Sequence, residues 1–328
     1  MSEKITMADI AQMAGVGKST VSRYFNGGYL KDSTRKKIQT IIEQYHYEPN
    51  SFARLNAKMS NLIGVVVPTL NSKISSRVIT SIDRYVREHN YETIIKSSDH
   101  SQELEYQNVQ RLLQLKVDGI LLSAITITDQ LHELIKTSTV PIVVLAQEYS
   151  DCICIVDDDY EAGYAMGYFI GQSHPKSVAY IGIAEYDIAV GIIRKQGILD
   201  GLKRHHITPS HILYGDYSYE SGRELTRSLL ESFVPDTIIC ATDRLAFGAY
   251  SVLKEKGYQI PTDISVAGFG GYQESTLLDP PLTTVKFDTY AMGYIGAETL
   301  LKCIQKQPVP KKQVIGFELL PTNSVRTP

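Results

Sequence analysis

Two short runs of apolar residues at helical spacing open the chain. Ile10, Met13 and Ala14 recur every three or four positions and make one inward face; Val21 and Phe25, four apart, make a second. Gly15 lies between the runs, where a left-handed residue ends a helix at least cost, and Val16 plugs the turn. Thr6 is placed to cap the first helix. Asp9, three residues on, gives an imperfect capping box and negative charge in the first turn. Ala11 and Ala14 are small enough for a second helix to cross closely, and Gly17 starts that helix without a strong side-chain cap. Lys18, Ser19, Thr20, Ser22 and Arg23 are left facing outward. This is the pattern of a helix-turn-helix whose second helix enters a DNA major groove, where an arginine grips a guanine bidentately. The plain alternative is an ordinary solvated helix pair. A third helix is predicted from Ser33 to about Tyr45, capped by Asp32 or Ser33. Its Ile38, Ile41 and Ile42 turn inward, with Arg35, Lys36 and Lys37 as a basic first turn.

Beyond residue 60 the pattern changes to strand-like runs alternating with helix-like ones. Strands are predicted at 62–67, 92–96, 119–123, 142–146 and 154–156, with helices at 75–89, 102–115 and 128–136. The alternation then restarts: helix 160–171, strand 178–183, helix 189–204, strand 212–214, helix 219–232, strand 237–240, helix 244–255, strand 264–268. Repeated strand–helix units imply parallel sheets flanked by helices, and two sets imply two lobes whose strand ends face a shared cleft.

Charge divides the chain at the same place. Residues 1–60 carry a net +4 and the remainder a net −7, within a whole-chain balance of −3. A basic end on an acidic body fits phosphate contact by the headpiece alone, and the modest +4 suits a specific binder better than a general DNA coat. At 328 residues and 43% hydrophobic content the body can bury a full core. No apolar run approaches membrane length and the first residues do not read as a signal peptide, so the expected location is cytoplasmic, on the nucleoid when bound to an operator. Cys152, Cys154, Cys240 and Cys303 show no metal spacing, and Cys152 and Cys154 are expected to share one face as packing residues. No metal or cofactor is expected.

The headpiece resembles the LacI/GalR family of bacterial repressors. The resemblance rests on D-I-A-x-x-A-G-V-x-x-S-T-V-S-R (Asp9 to Arg23), Asn26, T-R-x-K-I (Thr34 to Ile38) and Y-x-P-N (Tyr47 to Asn50). It continues in family order through L-I-G-V-V-V-P (Leu62 to Pro68), V-D-G-I (Val117 to Ile120), D-x-x-x-A-G (Asp158 to Gly163), A-T-D-x-L-A-x-G (Ala241 to Gly248), P-x-D-I-S-V-x-G (Pro261 to Gly268) and P-L-T-T-V (Pro281 to Val285). It implies an N-terminal all-α helix-turn-helix headpiece (1–48), a hinge helix and linker (49–60), and an α/β two-lobed core like periplasmic binding proteins (61–328). The lobe near DNA would hold 61–158 and 288–317, and the distal lobe 159–287 and 318–328. It further implies a homodimer on a pseudo-palindromic operator, built from the helices near 75–89 and 290–305, released by a sugar or sugar phosphate.

The resemblance also assigns residues. Lys18, Ser19, Thr20, Ser22, Arg23 and Asn26 match DNA-contacting positions, and Asn50, Ala53, Leu55 and Asn56 fall in the hinge helix, which in the family wedges a leucine into the minor groove. Here the wedge position holds Asn56, and Leu55 precedes it by one place, about 100° of helical rotation. In the cleft, the resemblance implies effector contacts from Thr69, Gln147, Asp187, Arg194, Tyr217, Thr242, Asp243 and Phe269. Arg194 would donate to sugar hydroxyls or to an anion, and Tyr217 would stack on the ligand. Three departures stand out: Ala146 takes the place of a strand-end acid, Thr242 that of an asparagine, and Phe269-Gly270-Gly271 lacks an aspartate. Two lost acids suggest a less polar pocket or a ligand bearing phosphate. The run Asp187 to Gly197 is similar to that of disaccharide-operon members, which implies sucrose first and trehalose or its phosphate second. A corepressor-dependent regulator is a further member type.

Other function classes fare worse. The chain has no G-x-S-x-G, P-loop, H-E-x-x-H or C-x-x-C motif. Asp157, Asp158 and Asp159 sit at a strand-to-helix turn, where they are expected to cap a helix and not to perform acid–base chemistry.

Overall fold

The computed structural model describes residues 5–25, 28–45, 47 and 59–326. Asn26 and the hinge positions Asn50, Ala53, Leu55 and Asn56 lie outside the described residues. The chain divides into two compact units, residues 1–60 and 61–328.

The first unit holds three helices, α1 (Met7–Ala14), α2 (Lys18–Phe25) and α3 (Asp32–Tyr45). The Thr6 box is complete: its hydroxyl accepts from Asp9 N at 3.3 Å and the Asp9 carboxylate accepts from Thr6 N at 2.7 Å. Gly15 takes φ +67° and closes α1 in the left-handed region. Ile10, Ala11, Ala14, Val21, Leu30 and Ile38 form the small core. Met13, expected inside, is 42% exposed, because the three-helix unit buries only a narrow stripe. Ile41 and Ile42 pack at the core's edge, only partly buried. The third helix begins one residue earlier than expected. Asp32 and Ser33 both lie within its first turn, and Lys31 O takes the first bond, from Arg35 N at 3.0 Å.

The second unit carries two six-stranded sheets. One is ordered β11-β5-β4-β3-β1-β2, from β1 (Leu62–Val67), β2 (Glu92–Ser97), β3 (Gly119–Ser123), β4 (Ile142–Leu145), β5 (Ile153–Asp157) and β11 (Lys312–Ile315). All its pairings are parallel. Strands such as β1 and β3 are apolar and buried on both faces, as parallel strands must be when helices cover both sides. Helices α4 (Lys73–Glu88) and α11 (Thr289–Ile304) cover one face, over Val65, Leu121 and Val143; α5 (Gln102–Gln114) and α6 (Asp129–Thr137) cover the other, over Val66, Ile120 and Val144. Cys152 and Cys154 are buried together on that second face.

The other sheet is ordered β12-β10-β9-β8-β6-β7, from β6 (Val178–Ile183), β7 (His211–Gly215), β8 (Thr237–Cys240), β9 (Ser265–Phe269), β10 (Thr283–Phe287) and β12 (Phe317–Leu320). Only the edge strand β12 runs antiparallel. Around it lie α7 (Asp159–Gln172), α8 (Lys195–Lys203), α9 (Tyr219–Ser232) and α10 (Asp243–Glu255). The helix expected over 189–204 is two pieces: a π-helical stretch Ile188–Arg194, then α8. The chain passes between lobes at Asp158, Asp288 and Gly316, where Asp158 N donates to Ile315 O at 3.0 Å. The last crossing puts Phe317 in the second sheet.

Candidate functional site

On the headpiece, Lys18, Ser19 and Arg23 are exposed and Thr20 and Ser22 half-buried, on the side of α2 away from buried Val21. Arg35, one of the basic residues of α3, instead braces this unit. Its Nη2 donates to Gly28 O at 3.1 Å and its guanidinium lies 5.7 Å from the Tyr24 ring.

Between the lobes of the second unit lies a cavity of about 490 Å³, within the size range of small-molecule sites, roughly 300–1,000 Å³. Thr69 and Gln147 line it from the first lobe, and Asp187, Arg194, Tyr217, Thr242 and Phe269 from the second.

Local structure sets Arg194 at the cavity. Asp187 caps the π-helical stretch, accepting from Val190 N at 3.0 Å, and Arg194 ends it. Helix α7 packs so closely on this segment that a Cβ on Gly163 would lie 2.2 Å from Arg194 O, so the crossing requires glycine. The first residue of α7 is Asp159. Its Oδ1 accepts from Arg194 Nε at 2.7 Å and Nη2 at 2.5 Å, while Nη1 donates to Ala241 O at 2.9 Å. The guanidinium is 5.1 Å from the Phe269 ring and 5.0 Å from that of Phe287, an aromatic setting that suits the planar cation. Burial works against its charge, but Asp159 more than offsets this and leaves Arg194 raised. Asp159 therefore does not serve as the helix cap expected of the aspartate triplet, and Asp158, at the cap position, makes no side-chain cap bond.

Asp187 links the lobes. Its Oδ1 accepts from Gln147 Nε2 at 3.0 Å and its Oδ2 from the Tyr217 hydroxyl. Burial and Asp187 push the Tyr217 hydroxyl well above its ordinary value, so it stays a donor. The Tyr217 ring stacks on His100 of the first lobe, centroids 5.8 Å apart at 19°. Arg244 Nη1 to Asn71 O at 3.2 Å and Lys73 to Glu274 at 3.3 Å also join the lobes.

Asp243 differs from its expected place. It is fully buried behind the cavity wall, accepting from Tyr272 N at 3.0 Å, Ser275 Oγ at 2.8 Å and Thr284 Oγ1 at 2.6 Å. Its carboxylate holds the loop after β9 and has no oxygen turned to a ligand. Its neighbour Thr242 lines the cavity and caps α10 through Leu245 N at 3.3 Å.

The expectation of an acid-poor pocket is also corrected. Asp99, Asp157, Asp159, Asp187 and Asp216 line the cavity, so the acids missing at Ala146 and Gly270 are replaced from other strand ends. His100, Asp157, Asp159 and Phe287 were not singled out as ligand-side residues. Of these, only Asp157 and Asp159 stand out in the sequence, as part of an aspartate triplet whose expected role is helix capping.

Two family models together span nearly the whole chain: "Bacterial regulatory proteins, lacI family" matches residues 6–50, and "Periplasmic binding proteins and sugar binding domain of LacI family" matches residues 60–320. The chain is 32% identical to the sucrose operon repressor of Staphylococcus xylosus, over 95% of this chain and 98% of that protein. It is 32% identical to catabolite control protein A of Priestia megaterium, over 93% and 94% respectively. Its fold is similar to the crystal structure of the lac repressor dimer bound to operator and the anti-inducer ONPF, with a TM-score of 0.88 and 26% identity over 98% of this chain and 99% of that one. With an α2 face of exposed polar residues in one unit and a two-lobed cleft in the other, the chain belongs to the LacI family of bacterial regulatory proteins.

Proposed function

We propose that this protein represses a sugar-utilisation operon and leaves its operator when a sugar enters the inter-lobe cleft. Lys18, Ser19, Thr20, Ser22 and Arg23 are the proposed base and phosphate contacts, joined on sequence grounds by Asn26 and by Asn50, Ala53, Leu55 and Asn56. Thr69, Gln147, Asp187, Arg194, Tyr217, Thr242 and Phe269 are the proposed effector contacts. Asp243 acts indirectly, by holding the loop after β9. The observation that carries the reading is Arg194: it is buried at a cavity of about 490 Å³, 5.1 Å from the Phe269 ring and 5.0 Å from the Phe287 ring, in a chain 32% identical to a sucrose operon repressor. Sucrose is the first candidate effector, and trehalose the second.

The mechanism is a linkage. Sugar and operator favour different arrangements of the lobes, so each weakens the other's binding by the same factor. A homodimer reading two half-sites accounts for a pseudo-palindromic operator. The equal identity to a catabolite control protein favours one second reading, a regulator that needs a corepressor. Measuring operator affinity with and without sugar decides the sign: a fall supports induction and a rise supports corepression. Arg194→Lys, which keeps a cation against Asp159, is expected to abolish the sugar response while leaving operator binding intact. Loss of both would make Arg194 a structural residue only.

A further inference from the structure

Helix α5 connects two parallel strands, β2 and β3, and runs back along the first sheet. Its N-terminal half therefore lies at the carboxyl ends of the strands, where the cleft opens. The buried face of this helix is divided. Val109 and Leu112 pack into the apolar core against the sheet, but one turn earlier the buried residues are Glu105 and Asn108, 2% and 3% exposed. Positions three apart share a helix face, so the two polar groups sit side by side. Burying a carboxyl and an amide costs more than burying leucine unless each makes a bond that leucine cannot. Both do. Glu105 accepts from the Ile125 backbone N–H, and Asn108 Nδ2 donates to Ser97 O at 2.9 Å.

The two backbone segments held in this way form the first-lobe wall of the cleft. Asp99 and His100 follow β2, and Ser123, Ala124 and Ile125 lie at the end of β3; all five line the cavity. Each segment also reaches the distal lobe. His100 stacks on Tyr217, and the Thr126 hydroxyl donates to Tyr186 O. Asp99 takes φ +47° and His100 φ +58°, left-handed conformations that residues with a Cβ keep only where neighbours enforce them. Ser98 N to Val67 O at 2.9 Å and His100 N to Pro68 O at 3.1 Å fix this turn to β1, and Asn108 fixes it to α5. Glu105 does the same for the segment after β3. The polar half of the α5 face thus lies under the two cleft segments, and the apolar half under the sheet.

We propose that Glu105 and Asn108 are positioning residues of the effector site: from behind the first-lobe wall they hold the 97–100 and 123–126 segments in the shape that meets the sugar and the distal lobe. The inference rests on the sugar-sensing reading and adds two residues that act on the ligand through the backbone. Glu105→Leu keeps the packing and removes the acceptor, and Glu105→Gln keeps an acceptor. The full chain and both variants are compared at pH 7 by urea unfolding, by hydrogen exchange of the 123–127 amides without sugar, and by calorimetric titration with sucrose and with trehalose. Glu105→Leu should be no less stable than wild type, yet exchange about tenfold faster over 123–127 and bind the sugar about tenfold more weakly. Glu105→Gln should restore both. A variant with unchanged exchange and unchanged affinity overturns the proposal. So does a loss of affinity that follows a loss of stability and that glutamine fails to restore, because Glu105 is then a structural residue. If wild type binds neither sugar, the sugar-sensing reading falls, and the exchange rates alone decide whether Glu105 holds the segment. If Glu105→Leu does not fold, Asn108→Leu carries the same comparison at residues 97–100.

Discussion

A single carboxylate oxygen, Oδ1 of Asp159, accepts from both Nε and Nη2 of Arg194, and neither side chain is more than a tenth exposed. Removing one partner of such a pair strands the other charge in a desolvated place, which costs about 3–5 kcal/mol. Asp159→Ala is therefore expected to lower the stability of the full chain by that amount in urea unfolding. Arg194→Met added to Asp159→Ala should recover most of the loss, because it removes the stranded cation. A drop below about 1 kcal/mol would mean that water screens the pair as it screens surface ion pairs.

Glu105 makes stability depend on pH. It lies on α5, only 2% exposed, with the Ile125 backbone N–H directed at its carboxyl. Burial pushes it up to about 8, from 4.5. Between those values the folded chain holds a proton that the unfolded chain has released, so stability falls as pH rises through the interval and levels off above about 8. Asp157, raised in the same direction, adds to the slope. Glu105→Gln removes the Glu105 part. It should flatten the curve and make the protein roughly 1–3 kcal/mol more stable than wild type at pH 9. Equal stability at pH 9 would show that water reaches the ionised group.

How much of this was legible in the sequence depended on how local each cause is. The Thr6–Asp9 box and the left-handed Gly15 involve neighbours three or fewer residues apart in the helix start and stop, and both stand where the sequence put them. The strand–helix alternation predicts two parallel sheets, because burial on both faces leaves continuous apolar runs, but it misses β10, β11 and β12, and β12 runs antiparallel. The Arg194–Asp159 pair joins positions 35 apart and exists only because Gly163 lets α7 approach the π-helical stretch. The inward turn of Asp243 depends on Ser275 and Thr284, brought to it by β9 and β10. Neither leaves a periodic trace. The aspartate triplet is visible in the sequence, where a helix cap is the expected role; only the fold sets Asp159 against Arg194 and Asp157 at the cavity.

The hinge departure gives a test at the DNA end. The resemblance implies that Asn56 holds the proposed wedge position of the hinge. An apolar side chain inserted at a base step unstacks it and lets the bent duplex meet more protein. Asn56→Leu is expected to tighten operator binding by about tenfold or more, and to tolerate more operator variants, in fluorescence anisotropy at fixed salt. An unchanged or weaker affinity would place Asn56 away from the groove.

The Gln147–Asp187 bond is a direct polar link between the lobes inside the cleft, and it shares its acceptor with the cap of the π-helical stretch. Gln147→Ala removes the link without removing the cap or the Tyr217 contact. If the bond belongs to the sugar-preferring arrangement, its loss should weaken sugar binding by about tenfold, the worth of a hydrogen bond to a charged group. The same loss must then narrow the ratio of operator affinities measured with and without saturating sugar, because a coupling between two ligands is reciprocal. If the bond is equally present in both arrangements, the sugar-free operator affinity and the ratio should both match wild type, and Gln147 would be a ligand contact without a part in switching. Titrating operator against the variant at zero and saturating sugar separates the two outcomes.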